Sequence, residues 1–521
     1  MFYVIIMLLF FLFYILANLK LLIHFLYINK VNMSKISLFR KKIMFLGYGG
    51  VAKCTWNYFS SYFNISPKRV YLVDKTPTAF YGPNLDHVHM IVENVGPTTF
   101  ESLLDRLKFK EGDVIIDLTF ASSTYFFINV CLQRGIHYMN TSIEDESDIF
   151  HAGSIDHQQQ LVKELVAHHQ QEQTMRSLIL TECGQNPGLI QHYVLYALNQ
   201  LYQMSRPANA AAAKEYRRSV LTSMIDEYKI GTIFMSERDQ LRTTRPLKKH
   251  TLYNTWSVAG FVAEGLDCAE LVHGPKNPYI QPVIKEKDIH QGLMKLYDPY
   301  QNNGKRVLFL KENGRNSTLP SVAPIVANGR IHFEPFRGSL IHHGESFELA
   351  NYFGEKAPFM TYVYQYSPYL DQSLDQVERD YQLHDRGEYL TYILSDPESF
   401  CVFDNIDEPR GHHMKGCDSI GCTILCGDKS VERIFWCGTV LENDDKNVDP
   451  LFTPTTVQVA AGILSGLSYL MENGRAPGYY QPCDLDTQYI LDKARPLLGN
   501  FFFTEIPAST FNKPLTLKNR K

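Results

Sequence analysis

Neither acidic nor basic residues are in marked excess in this chain. Its 51 Lys and Arg against 55 Asp and Glu leave a net charge of −4 over 521 residues. That balance supplies no basic field for nucleic acid, which normally shows as a surplus or stripe of Lys and Arg. Cysteine is thin, ten in all, too few at this length for a disulfide scaffold and in keeping with reduced cytosolic thiols. Tryptophan is scarcer still, at three. Internal repeats are absent, and so is low-complexity sequence outside the N-terminus. What is present is ordinary globular composition, 45% hydrophobic and 20% charged, which excludes global disorder and fibrous repeats. With 32 Phe and 31 Tyr, the aromatics suffice for a large core and for aromatic-walled pockets. The length favours two or three domains over one.

The one long hydrophobic run is N-terminal. Met1 to Ala17 is unbroken apolar, and after Asn18 and Lys20 the run continues to Ile28, just long enough to span a bilayer. No basic segment precedes it and no small-residue cleavage site follows, so it is not a signal peptide. Lys20, Lys30, Lys35, Arg40, Lys41 and Lys42 lie on its C-terminal side, which would leave the remainder in the cytoplasm. The alternative, favoured here, is that residues 1–32 are a non-native start and Met33 the natural one. A cytoplasmic location follows either way, with membrane contact only if residues 1–32 act as an anchor.

Lys42 to Leu46 is a short apolar run that ends in Gly47-Tyr48-Gly49-Gly50-Val51-Ala52, a G-x-G-x-x-A turn followed by a helical pattern. Such glycines allow a tight turn and let backbone N–H groups approach a pyrophosphate at a helix N-terminus. Arg69 to Val73 reads as a second strand closed by Asp74, 22 residues beyond Ala52. An acid there accepts from both ribose hydroxyls and repels a 2′-phosphate, so NAD is expected over NADP. Further strand patterns at Val114–Leu118, Tyr138–Thr141 and Ser177–Leu180 alternate with helical ones at Thr99–Leu107, Ser123–Arg134 and Gln158–Thr174. This is the pattern of an α/β, Rossmann-type doubly wound parallel sheet, with ligand at the carboxyl ends of the strands. Gly47, Gly49, Gly50, Val51, Asp74, Thr119 and Thr141 are the expected cofactor-binding residues; Thr119 to Ser122 and Asn140 to Glu144 sit at such strand ends.

After Asn186-Pro187-Gly188 the pattern changes. A helix is expected over Leu189–Leu201, then many short β-rich runs suggest a mixed or antiparallel sheet, and residues 453–472 form a long apolar helix expected to return to the first domain. The implied organisation is an apolar segment at 1–32, a nucleotide domain at 40–188, an α+β substrate and dimerisation domain at 189–450, and a returning helical segment at 451–521. Cys417, Cys422, Cys426 and Cys437, with His412 and His413 upstream, lack the paired knuckles of a zinc site. No metal is expected.

Four clusters in this second part carry chemistry: Asn186-Pro187-Gly188, Ser236-Glu237-Arg238-Asp239, Asn254-Thr255-Trp256-Ser257 with Glu264 downstream, and His342-His343-Gly344-Glu345. Trp256 lies between polar residues, not in a core run. An indole face flanked by carboxylates is a receptor for an organic ammonium ion. Each cluster alone would more often be a solvated loop; together, behind a dinucleotide fold, they point to an enzyme acting on a cationic amine.

Between about Lys42 and Pro507 the sequence resembles the bacterial homospermidine synthases, relatives of the saccharopine dehydrogenase group. The resemblance is carried by GYGGVA, GQNPG, SERDQ, NTWSVAGFVAEG, IHHGE and TPTTVQVAAGILSG, in that order. It implies an inserted substrate domain used also for homodimer formation, NAD retained as a prosthetic group, and the joining of two putrescines into homospermidine with loss of ammonia. Spermidine as aminobutyl donor stays open. By motif, Asn186, Glu237, Trp256, Glu264, His343 and Glu345 become pocket residues, with Glu144 at a strand end of the nucleotide domain. Loss of hydride from an amine carbon requires a neutral amine, so a base must take a proton from an ammonium whose pKa is near that of Lys, ~10. Glu237 or His343 is the candidate base. Glu264 and Glu345 would hold distal ammonium groups, and Trp256 would stabilise the cationic imine stage. A saccharopine-type NAD(P)-dependent dehydrogenase or reductive aminase is the competing enzyme, but it needs Arg or Lys to grip a carboxylate substrate. A polyamine- or nucleotide-binding protein without turnover is the remaining alternative.

Overall fold

A computed structural model describes residues 35–519 apart from 39, 78–79, 81–83, 121–122, 145–154, 207–215, 245, 283–293, 298–305, 342, 396–398, 403–413, 447, 473 and 512–514. The apolar segment 1–32, Ser122, His342, His412 and His413 therefore lie outside the described residues.

The first part of the chain, to Leu180, supplies six strands of a seven-stranded, all-parallel sheet. Its order is Gly478–Tyr480, Leu178–Leu180, His137–Asn140, Val114–Asp117, Ile43–Leu46, Val70–Asp74, His89–Val92. Ile43–Leu46 and Val114–Asp117 are buried at every position, because helices cover both faces and leave no solvent side for alternation. Helix Thr124–Arg134 starts where Ser123 Oγ accepts from the Phe126 N–H and stops at Gly135, which adopts the left-handed conformation. The expected Rossmann-type sheet is present.

The second sheet has eleven strands. Its main path runs Met294–Tyr297, Arg306–Asn313, Cys268–His273, Phe359–Gln365, Ile230–Asp239, Cys417–Cys426, Arg433–Glu442, Asn500–Ile506. It is mixed: Phe359–Gln365 and Ile230–Asp239 run parallel, while the other paired strands are antiparallel. The hairpin Ser317–Ala327/Arg330–Ile341 pairs onto Phe359–Gln365 through Ser339, Leu340 and Ile341. Cys422 and Cys437 face each other on neighbouring strands of this core.

The C-terminal stretch serves both sheets. Helix Pro454–Glu472 is buried along most of its length and shares one apolar core with helix Gly50–Tyr62 and with Leu189–Met204. Gly478–Tyr480 then adds the outermost strand of the parallel sheet, whereas Asn500–Ile506 joins the mixed one. A continuous core thus fixes the parallel sheet's strand ends against strand Ile230–Asp239.

Candidate active site

The glycine turn opens onto a cleft of about 540 Å³. Gly47 has φ +79°, and a Cβ on it would lie 2.7 Å from the Leu118 carbonyl oxygen, so this position tolerates only glycine. A Cβ at Gly49 or Gly50 would meet nothing within 4 Å; the space beside them is the cleft itself. Helix Gly50–Tyr62 begins there with no side-chain cap, leaving its first N–H groups for an anion. Asp74 closes its strand at the cleft wall, with Oδ2 accepting the Tyr48 N–H and Oδ1 the Thr76 N–H, each at 2.8 Å. Each oxygen keeps lone pairs for a diol. Gly47, Gly49, Gly50, Val51, Asp74 and Thr119 all line or border this cleft. Thr119 Oγ1 is committed to Asp117 at 2.6 Å. Thr141 lies instead beside Gly184 at the Asn-Pro-Gly turn. The residues present fit a dinucleotide.

Trp256 and Ser257 line the same cleft from the other domain. Ser257 Oγ caps helix Val258–Gly265 by accepting the Gly260 N–H, which holds Trp256 at the helix entrance and Glu264 at its far end. The half-buried indole donates its Nε1–H to the Tyr364 hydroxyl at 3.3 Å.

Behind Trp256 the acids gather. On strand Ile230–Asp239 the side-chain period of two sends Glu237 and Asp239 to one face and Arg238 to the other. Arg238 donates to Gln365 at 2.7 Å and reaches Glu334 at 3.4 Å, away from the carboxylates. Glu237 is 3% exposed; it accepts from the Tyr362 hydroxyl and, at 3.4 Å, from Asn186 Nδ2. Burial pushes its carboxyl up to about 8, with the Tyr362 hydroxyl opposing and Asp239 adding to the rise. Asp239 accepts from Thr255 and from the Leu241 N–H. Asp418, its partner across the sheet, accepts from Thr455 and Gln458 of the long helix, and burial with its acidic neighbours pushes it well up.

His343 sits between two acids. Its Nε2 lies 3.0 Å from Glu264, and its Nδ1 lies 3.3 Å from Glu345 without hydrogen-bond alignment. Its ring stacks on Tyr362 at 4.4 Å. Burial works against the imidazolium, but Glu345 and Glu264 outweigh it and hold the proton far above the usual histidine range. Glu345 is fully buried, and among the described residues neither of its carboxylate oxygens receives an aligned hydrogen bond, the His343 ring 3.3 Å away being its charge partner. Buried acceptors of this kind mark a place for a missing donor.

Asn186, Glu237, Trp256, Glu264, His343 and Glu345 are thus brought together. Glu144 is placed apart from these contacts, at the start of helix Thr124–Arg134, where its N–H donates to Thr124 Oγ1 and its carboxylate accepts from Ser142. Several residues escaped the motif reading. Asp239 was named within the Ser236-Glu237-Arg238-Asp239 cluster but given no role, though its two-residue spacing from Glu237 signals a shared face. Asp418, Tyr362 and Tyr364 come from pairings across a sheet that no local pattern announces. Glu182 is another: buried at φ +60°, it accepts from Gln159 and Gln481 and lies against Gly344.

Known proteins share this sequence pattern and fold. Residues 43–177 match the family model of the saccharopine dehydrogenase NADP binding domain. The homospermidine synthase of Mesorhizobium japonicum is 22% identical over 476 residues, covering 88% of each chain. That of Blastochloris viridis is 22% identical over 469 residues, covering 88% of this chain and 89% of its own. The crystal structure of homospermidine synthase from Legionella pneumophila in complex with NAD superposes with a TM-score of 0.71 at 20% identity, over 91% of this chain and 92% of that one. The resemblance to homospermidine synthases, first read from motifs, extends over nearly the whole chain, and the solved structure shares its fold.

Proposed function

We propose that this protein is a homospermidine synthase, which joins two putrescines into sym-homospermidine and releases ammonia. The observation that carries the proposal is that Trp256 lines the dinucleotide cleft and is joined through Tyr364 and Tyr362 to a buried set of carboxylates. Among the described residues, that set has His343 as its cation and neither Lys nor Arg. A substrate bearing a carboxylate would meet repulsion there; a diamine would meet its counter-charges.

Asp74 favours NAD over NADP, since a 2′-phosphate would approach its carboxylate. The glycine turn and the uncapped helix would hold the pyrophosphate. Held there, NAD would supply a reversible hydride acceptor for an amine-bearing carbon, with no net redox over the cycle.

The chain's own groups do the rest. Glu237 is the base of this reading: its affinity for protons, near 8, suits it to accept one from an ammonium group better than an ordinary carboxylate could. His343 already holds its proton between Glu264 and Glu345, so it orients the pocket and does not act as the base. Glu264 and Glu345 flank one imidazole, two acids to one histidine, and the Glu345 oxygens, which receive no hydrogen bond among the described residues, would seat a distal ammonium. Trp256 offers its indole face to the cationic stage of the substrate. Asn186 steadies Glu237.

The test is to incubate the purified protein with putrescine and substoichiometric NAD⁺ and identify amine products by mass. Homospermidine with no accumulating NADH is expected. Stoichiometric NADH release, or no coupled amine, would overturn the proposal.

A further inference from the structure

We infer that Tyr362 is a positioning residue for the amine chemistry: its phenol donates to the Glu237 carboxylate and favours the form that can take a proton, while its ring fixes the plane of His343. The inference rests on the reading of Glu237 as the base.

Geometry carries it. Tyr362 lies opposite Met235, and Tyr364 opposite Glu237, on the parallel neighbour of strand Ile230–Asp239. Tyr362 therefore shares a sheet face with Glu237 one step away along the strand, and its hydroxyl donates to Oε2. Tyr362 is 3% exposed, so water does not compete for that bond. One face of its ring stacks on His343 at 4.4 Å and it also stacks on Tyr364 at 5.5 Å. Tyr364 in turn receives the Trp256 N–H. One aromatic ladder thus runs from the candidate amine receptor to the candidate acid pair, with Glu237 hung on its middle rung.

The surroundings make the hydroxyl decisive. Facing Glu237 are Asp239 on its own strand, Asp418 on the antiparallel neighbour, Tyr362 and Tyr364 on the parallel one, His343 before the helix Glu345–Phe353, and Asn186 from the cis Asn-Pro turn. Both aspartates and burial oppose ionisation. His343 favours it, but shares its charge between two other acids. Asn186 donates at 3.4 Å, a long bond. The Tyr362 O–H is the close donor, and it removes no charge from the pocket. A lysine in its place would favour ionised Glu237 too, but would repel a diamine.

Tyr362→Phe keeps the ring and its stacking and removes only the donor. The ionised carboxylate loses support, so its proton affinity rises and the acidic limb of kcat/KM moves to higher pH. Hydrogen bonds to charged groups are strong enough to predict a displacement of about one to two pH units. Below the limb, kcat/KM should fall roughly ten- to a hundredfold, and above it the two enzymes should converge. Tyr364→Phe, whose hydroxyl does not touch Glu237, should leave the midpoint in place. An infrared titration of the protonated Glu237 carbonyl, identified by its loss in Glu237→Gln, reads the same midpoint without turnover. If the wild type fails to convert putrescine, the proposed function falls while the infrared midpoint still judges Tyr362. An equal midpoint in wild type and Tyr362→Phe, or a loss of activity uniform across pH, overturns the inference.

Discussion

Glu345→Gln probes the charge that organises the site. The Glu345 carboxylate is 3.3 Å from His343 Nδ1, and Glu264 is 3.0 Å from Nε2. At that separation one unit pair is worth roughly 5 kcal/mol as an upper bound at an effective dielectric of 20. Opposite charges this close move a pKa by about 1–3 units. Glu264 remains in the variant, so the histidine affinity should drop by that amount without collapsing to that of a bare buried imidazole. Histidine-selective NMR reads it directly, with His343→Asn identifying the resonance among 18 histidines. The wild-type ring should stay protonated through neutral pH and the variant's should titrate lower. Stability must follow. A histidine whose folded pKa exceeds its unfolded value contributes stability that is fully present below the unfolded pKa, ~6.5, and is lost as pH rises through the folded one. The difference between wild type and variant from this source should therefore be about 1.4–4 kcal/mol in acid and vanish in alkali, above any pH-independent offset. A neutral His343 in the wild type at pH near 7, or an unchanged titration in the variant, would refute the reasoning.

Asp74→Ser should narrow the preference for NAD over NADP, and Asp74→Arg should narrow it further; cofactor titrations by fluorescence quenching decide, and equal wild-type affinities would remove Asp74 from the role. Gly344→Ala should be destabilised by about 1–3 kcal/mol, because its Cβ would lie 1.8 Å from Glu182 Oε1; an unchanged melting curve would show that the turn relaxes freely. Trp256→Ala should cost about tenfold or more in kcat/KM and Trp256→Phe less, since a desolvated cation–π contact is worth ~2 kcal/mol. Trp256→Lys should be worst. If the losses track melting temperature instead, Trp256 merely packs.

The parallel sheet was legible because its physics is local. Apolar runs, a glycine turn, amphipathic helices and Asp74 follow one another along the chain, and the structure differs mainly at ends, as where helix Ile155–Gln171 starts three residues before Gln158. Two strands of that sheet were not legible. His89–Val92 is an edge strand with Met90 and Val92 exposed, so no inward alternation marks it. Gly478–Tyr480 is three residues long. In the mixed sheet, Ser317–Ala327 carries Pro320 and Pro324, which argue against a strand. It survives because beyond its hairpin partner only Ser317 and Thr318 pair with another strand, so the missing N–H groups cost no ladder bond.

The site divides along a similar line. Motifs found Glu237, Glu264, His343 and Glu345, but not what each one does, because a carboxylate's role is set by what surrounds it. Sequence left Glu237 and His343 as equal candidates for the base. On the proposed reading their environments separate them: burial and acidic neighbours raise the Glu237 carboxyl toward the range of an amine's base, whereas the two carboxylates beside His343 favour keeping its proton. Neither environment is encoded near the residue it governs. Asp418 reaches Asp239 only through antiparallel register, and Tyr362 reaches Glu237 only through parallel register. The alternation that sends Arg238 to the opposite face completes the separation, for a guanidinium turned inward would neutralise the charge that the proposed diamine needs. In the proposed function, a pocket for cations is made as much by where one arginine points as by where the acids do.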